Sequence, residues 1–473
     1  MLLAAIPLVL IAVVIVVQTY YALTPVPLSQ QAVELNARAA KLPTVTENGY
    51  RLNGLLAPRD LDPVAYGRCL VEAYEFSRFG SRTGDVPSMD DKVAFKAYWD
   101  ARNAKGEEMQ NACLKGGSVL KLPELLSTVR IRLGMPDEHW RRLANAPPDQ
   151  VIVTRAESVW SSGPRRIGAE PEMMIGNTDA LFRVQRYRTA SAMQFWRSGD
   201  RSRAIEIWNR SVSDWAAAAN GTLFDAVISS AAIGQVVFAI QTAVAQSERL
   251  DDETARALSA VLEPATSLPQ SLSDAMLAEW QTRLLTAKQI LNWSESAAEF
   301  GIQQGTAGHI FERLSHFTYD ENDTLNRLAT SNVWVQSAVV RAANGGDVGP
   351  YPLTEDSFGC PALGELAPLC LVFQRNPLGR VIGGISAPIY PPYGTRIADL
   401  RNLAAATRLT IEARRRGLAG DALAAFVTNA PADMRDVFTG KPFEYDAAKK
   451  ELRPVLREKN TVLGEKGPYA LPL

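Results

Sequence analysis

The chain opens on an uncharged apolar run, Leu2 to Val17, which Gln18, Thr19, Tyr20, Tyr21, Ala22 and Leu23 extend. About 20 apolar residues suffice to carry a helix across a ~30 Å hydrocarbon core, and residues 1–23 are long enough. Tyr20 and Tyr21 stand where an aromatic pair rests at headgroup level. The run therefore predicts a transmembrane anchor with everything after it on one side of a membrane. A cleavable signal peptide is the competing reading. It calls for a basic residue ahead of a shorter run and small residues at a cleavage site, and Tyr-Tyr-Ala-Leu-Thr-Pro offers a poor one.

The remaining 450 or so of the 473 residues are enough for two or three domains at ~100–200 residues each. With 47% apolar residues the chain can build a large core and is not globally disordered. Lys plus Arg number 50 against 51 Asp plus Glu, a net charge of -1. No basic block stands out, so a nucleic-acid partner has no electrostatic footprint here.

Periodicity predicts a mainly α fold: an N-terminal transmembrane helix, then a helical bundle or stack of hairpins with a long stapled loop and a small C-terminal β-hairpin. Residues 24–60, punctuated by proline, read as a linker. Residues 61–344 read as the helical body. Within it Ile205, Trp208, Val212, Trp215 and Ala219, and then Leu277, Trp280, Leu284, Ala287 and Leu291, recur at three- and four-residue steps, laying one apolar stripe on each helix. Asp200 or Ser202 would cap the first helix and Ser271 or Ser273 the second. Ala226 to Ser247 carries no charge, but its glutamines and serines favour a core helix over a second span.

Residues 345–396 are rich in Pro and Gly and read as a long loop, with a short strand at Leu371 to Phe373. Residues 397–473 read as a helix from Arg396 to Arg416, a shorter one from Asp421 to Val427, and a hairpin of Phe443–Tyr445 with Glu451–Arg453. Four cysteines are present. Cys360 and Cys370 bracket a short Pro/Gly loop and Cys69 and Cys113 lie in helical segments, so two bridges and an oxidising compartment are expected.

Chemistry-bearing motifs are weak. Ser118-Val-Leu-Lys121 matches S-x-x-K, but the S-D-N and K-T-G elements that accompany it in penicillin-recognising enzymes are missing. Gly384-Ile-Ser-Ala-Pro388 departs from G-x-S-x-G at its last residue. His309, Glu312 and His316 share a helical face, yet two helical turns part the histidines by ~10 Å, too far for one metal ion. No catalytic residue, metal ligand or cofactor is nominated. The turn Asp436, Thr439, Gly440, Lys441 and Pro442 reads as structural: Asp436 caps it, Gly440 takes a positive φ and Pro442 ends the preceding helix.

Several stretches, taken in order, resemble a known group. Asn48-Gly-Tyr-Arg-Leu-Asn-Gly54, Asp62-Pro-Val-Ala-Tyr-Gly67, Asp323-Thr-Leu-Asn326, Arg401-Asn-Leu-Ala-Ala-Ala-Thr-Arg408 and Asp436-Val-Phe-Thr-Gly-Lys-Pro-Phe-Glu-Tyr445 resemble an uncharacterised family of membrane-anchored bacterial envelope proteins. These end in a D-P-F-T-G-K-P-like hairpin similar to the tail of type II pseudopilins. Val437 stands where proline is usual, and Glu412-Ala-Arg-Arg-Arg-Gly-Leu-Ala-Gly420 departs from the family's Y-R-x-E-x-G-x-Y-P stretch. The resemblance implies a single-pass protein of the bacterial inner membrane with its body in the periplasm; it carries no activity. The expected role is binding or scaffolding with a protein partner in the envelope. The alternatives are an envelope hydrolase with a scattered site and an accessory subunit of a larger membrane complex.

Overall fold

Helices follow wherever apolar stripes and caps coincide. The computed structural model describes residues 2–42, 46–79, 92–132, 134–163, 165, 171–290, 319–349, 374–376, 379–380, 390–458 and 467–473. The chain divides into two units, each assembled from separated segments. One takes residues 1–42, 276–341 and 347–391, and the other residues 43–275, 342–346 and 392–473. This division differs from the consecutive domains expected from composition, because core partners are drawn from distant parts of the chain.

The smaller unit begins with α1 (Leu2–Leu23), 22 residues long. Residues 24–29 are non-helical, and α2 (Gln30–Ala39) follows, capped by the Ser29 hydroxyl. Ala32, Leu35 and Ala39 of α2 form a core with Leu277 and Trp280 of α12 (Asp252–Ile290) and with Leu328 and Ala329 of α13 (Glu321–Ala343). Trp280 is fully buried and its indole N–H donates to Asn36 Oδ1 at 3.1 Å.

The expected linker is thus part of the fold. Its proline-interrupted backbone, which cannot make a regular ladder, is satisfied by side chains of α13. Asp320 Oδ2 accepts from Val26 N at 3.2 Å, Asn322 Nδ2 donates to the Val26 carbonyl at 3.0 Å, and Asn326 Nδ2 donates to the Pro27 carbonyl at 2.9 Å. Asn326 Oδ1 then accepts from Ser29 N at 2.6 Å.

In the larger unit, α3 (Glu47–Asn53) crosses α4 (Pro63–Phe79) backbone to backbone. A Cβ on Gly67 would lie 1.8 Å from the Tyr50 carbonyl oxygen, and one on Gly54 would lie 1.7 Å from that of Pro63. A disulfide joins Cys69 of α4 to Cys113 of α5 (Lys92–Cys113), as expected. After α6 (Leu125–Thr128), α7 (Asp137–Ala144) and α8 (Gln150–Ser161), the helices α9 (Pro171–Arg197), α10 (Arg201–Ala218) and α11 (Leu223–Ala245) pack on one another. Asp200 is the cap of α10, accepting from Arg203 N at 3.1 Å, and Trp208, Val212, Trp215 and Ala219 are buried as their spacing predicts. Among the described residues α11 is the one helix long and apolar enough to cross a membrane, with 83% of its apolar stretch buried, and the apolar stretch of α1 found among them, Ala12–Leu23, is shorter than a span. Core packing of this uncharged segment agrees with its Gln and Ser content.

Ser271 and Ser273 fall inside a helix and not at its start. Helix α12 begins at Asp252, where the Asp251 carboxylate accepts from Thr254 N at 2.7 Å, and it runs through both serines. At the other end, α14 (Pro391–Arg416) starts earlier than expected and α15 (Gly420–Thr428) follows. Strands β1 (Glu444–Asp446) and β2 (Glu451–Arg453) form the expected antiparallel hairpin, with Tyr445 opposite Leu452. The chain then adds more than the hairpin. β3 (Val455–Leu456) pairs with β4 (Gly467–Pro468), and β5 (Leu471–Pro472) returns to the free edge of β2. Leu409, Leu423, Val427, Phe443, Leu452, Leu471 and Leu473 close this end as one apolar cluster.

Candidate functional site

The exit of α1 in the smaller unit builds a polar cleft of about 260 Å3, lined by Tyr21, Ala22, Pro25, Tyr319, Asp320, Glu321, Asn322 and Arg375. Its wall is positioned by α1. Val13, Ile15, Val16, Tyr20 and Leu23 stand exposed, while Gln18 is buried and donates to the Gln374 carbonyl at 2.9 Å. Arg375 then clamps the helix end. One of its terminal nitrogens, Nη2, donates to the Tyr21 carbonyl at 3.1 Å and to Thr24 Oγ1 at 3.4 Å, and its guanidinium lies 5.4 Å from the Tyr21 ring centre. A cation at a helix C-terminus complements the negative end of the helix dipole.

Across the cleft, Asp320 caps α13, accepting from Asp323 N at 3.0 Å, and its Oδ2 lies 3.5 Å from Arg375 Nε. Asn376 locks the floor: its Nδ2 donates to the Asp320 carbonyl at 2.9 Å, to Asp323 Oδ2 at 3.1 Å and to Thr324 Oγ1 at 2.8 Å. Burial pushes the Tyr319 hydroxyl up, keeping it a neutral donor. Glu321 is exposed and hydrogen-bonds to nothing among the described residues. The cleft therefore presents one guanidinium and two carboxylates, and it can hold a small ligand carrying both signs of charge.

This unit holds a second titratable cluster. Tyr390 donates to Glu279 Oε1 at 2.7 Å, and the Arg283 guanidinium lies 4.6 Å from the Tyr390 ring centre. Burial pushes both the Glu279 carboxyl and the Tyr390 hydroxyl up.

The predicted turn lies in the larger unit and is held as its residue types require. Asp436 Oδ1 accepts from Phe438 N at 3.0 Å, Thr439 N at 2.8 Å and Thr439 Oγ1 at 3.0 Å, and Gly440 has φ 66°. Lys441 closes it through its carbonyl, which accepts from Asp436 N at 3.0 Å. Pro442 follows a turn and not a helix, the nearest helical residues being the 3-10 stretch Ala432–Met434. Fully buried Asn402 of α14 fastens the turn: Nδ2 donates to Asp436 Oδ2 at 3.1 Å, and Oδ1 accepts from Val437 N at 2.9 Å. One helical turn away, Asp399 accepts from Arg457 N at 2.8 Å and Glu458 N at 3.0 Å.

Other stretches that carry the family resemblance are likewise fasteners. Asn48 Nδ2 donates to the Val159 carbonyl at 2.9 Å and to that of Gly163 at 2.6 Å, and Arg401 Nη1 to that of Ala343 at 2.7 Å. Ser118 and Lys121 are exposed loop residues. Cys360, Cys370, the loop they bracket, Gly384 to Pro388, and His309, Glu312 and His316 lie outside the described residues. Sequence reasoning missed Arg375, Glu321, Asn322 and Asp320. The available signal was the Asn322–Asn326 spacing, which sets two amides on one helical face. No family model, curated protein or solved structure matches the chain.

Proposed function

We propose that this chain is a membrane-anchored extracytoplasmic binding or scaffold protein of the bacterial cell envelope, single-pass through the inner membrane with its body in the periplasm. The observation that carries the reading is the exposure of Val13, Ile15, Val16, Tyr20 and Leu23 on the uncharged helix α1, which is tied to the rest of the smaller unit through Gln18 and Arg375. Exposed apolar side chains grouped in this way call for a cover, and lipid supplies one. The clamp fixes the direction in which the anchor leaves the body, so the body sits against the bilayer instead of swinging on a tether. The Cys69–Cys113 bridge supports an oxidising compartment. The bacterial address itself rests on the family resemblance.

Membrane fractionation tests this. The intact chain should resist alkaline carbonate extraction. Val13→Lys with Val16→Lys should move it to the soluble fraction, because each charge inside a span costs ~2.5–3.5 kcal/mol. Extraction of the unaltered chain by carbonate would refute the anchor. The hydrolase alternative has one observation in its favour, the Glu279 carboxyl buried beside Tyr390 and pushed up by that burial; a hydrolytic activity abolished by Glu279→Gln would establish it.

A further inference from the structure

We propose that the cleft at the end of α1 binds a phosphoethanolamine head group, its phosphate on Arg375 and its ammonium on Glu321 and Asp320. The proposal rests on the membrane reading of α1 for the source of the ligand, but its chemistry comes from the cleft alone.

Position comes first. If Tyr20 and Tyr21 lie at headgroup level, a cleft lined by Tyr21, Ala22 and Pro25 opens among lipid head groups. Size comes second. About 260 Å3 falls below the ~300–1,000 Å3 of sites for drug-sized ligands, and it suits a small polar group.

Charge decides the class. Arg375 spends Nη2 on Tyr21 and Thr24 and faces Asp320 through Nε, which is buried and makes no hydrogen bond. Its Nη1 has no partner among the described residues, which leaves a guanidinium edge for a phosphate oxygen. Glu321 is the complementary unspent carboxylate. A head group with only negative charge meets Asp320 and Glu321 and is repelled. A choline head group carries no N–H to donate to a carboxylate, so it leaves Asp320 and Glu321 without a donor. A primary ammonium linked to a phosphate satisfies both walls.

The test uses the full chain in neutral detergent micelles, with phosphatidylethanolamine, phosphatidylcholine and phosphatidylglycerol competing at equal amounts and bound lipid read by native mass spectrometry. Phosphatidylethanolamine should be retained in preference to the other two. Glu321→Gln should weaken it about two- to fivefold, the worth of a partly exposed ion pair, and Glu321→Lys should reverse the ranking in favour of phosphatidylglycerol. Because Glu321 is exposed and hydrogen-bonds to nothing among the described residues, Glu321→Gln should leave the melting temperature nearly unchanged and Glu321→Lys, a cation in the first turn of α13, should lower it only slightly; Arg375→Gln serves as a second variant on the phosphate side. Equal retention of the three lipids, or a ranking indifferent to Glu321→Lys, overturns the proposal. A second arm titrates the chain with soluble phosphoethanolamine by calorimetry. Binding that Glu321→Lys removes supports the site even if fractionation refutes the anchor, and absence of such binding together with indifferent lipid retention overturns it.

Discussion

Replacing Asn402 by Ala should destabilise the C-terminal end of the larger unit by ~3 kcal/mol. The side chain is fully buried and makes three hydrogen bonds: to Asp436 Oδ2 at 3.1 Å, to the Val455 carbonyl at 3.2 Å and from Val437 N at 2.9 Å. Each group left without its partner costs ~1–3 kcal/mol. Val437 is half-buried and Val455 exposed, so water recovers part of the loss there and the low end applies to each. Three losses of ~1 kcal/mol give the figure, a large share of a typical ~5–15 kcal/mol stability. Asn402→Asp is the informative control. It keeps the acceptor for Val437 N but sets a second carboxylate against Asp436, so it should be more damaging at neutral pH than at pH 4, where one proton can be shared. Urea unfolding followed by circular dichroism gives the stability, and hydrogen exchange at the Phe438 and Thr439 amides reports the turn. An Asn402→Ala protein with an unchanged urea midpoint and unchanged protection of those amides would refute the reasoning.

Three further outcomes follow from the geometry. Burial raises Asp399 from the ordinary 3.8 to about 6 against the pull of its two backbone donors; the folded state then holds the proton more tightly. The contribution is present below pH ~4 and lost as pH rises through about 6, worth ~3 kcal/mol for roughly two pH units at 1.36 kcal/mol each. Between pH 4.5 and 7.5, which covers roughly 1.5 of those pH units, the loss of unfolding free energy should be ~2 kcal/mol smaller in Asp399→Asn than in the unaltered chain. Reducing the Cys69–Cys113 bridge, which spans 44 residues, should cost ~4 kcal/mol in the chain-entropy model; peptide mapping without reductant should recover the linked pair, and two alkylatable thiols in fresh protein would contradict it. Trp280→Ala should cost ~3–5 kcal/mol as a buried large-to-small change and should expose α2 to protease, since Asn36 loses its donor; unchanged melting and proteolysis would count against the α2 packing.

What was legible in the sequence was whatever is local. The Trp208–Val212–Trp215 stripe, the Asp200 cap, the uncharged core helix and the Asp436 turn each repeat or close within a few residues, so composition and spacing carry them. The joins were not legible. Asn322 and Asn326 reach a prolyl segment almost 300 positions earlier, and β5 returns to β2 across the intervening stretch. Such bonds run from a side chain or a two-residue strand to a distant backbone, and nothing periodic announces them. The cleft was invisible for the same reason. Its cation, Arg375, and its carboxylates, Asp320 and Glu321, come from segments that no local pattern connects.

In the proposed topology α1 spans a membrane and leaves the body outside the cytoplasm. Alkaline phosphatase fused to Leu473 of the full chain and expressed in a Gram-negative bacterium tests it directly, since that enzyme is active only after export. That topology predicts an active fusion that sediments with the membrane and resists carbonate. An inactive fusion, with a cytoplasmic reporter active at the same position, would contradict it.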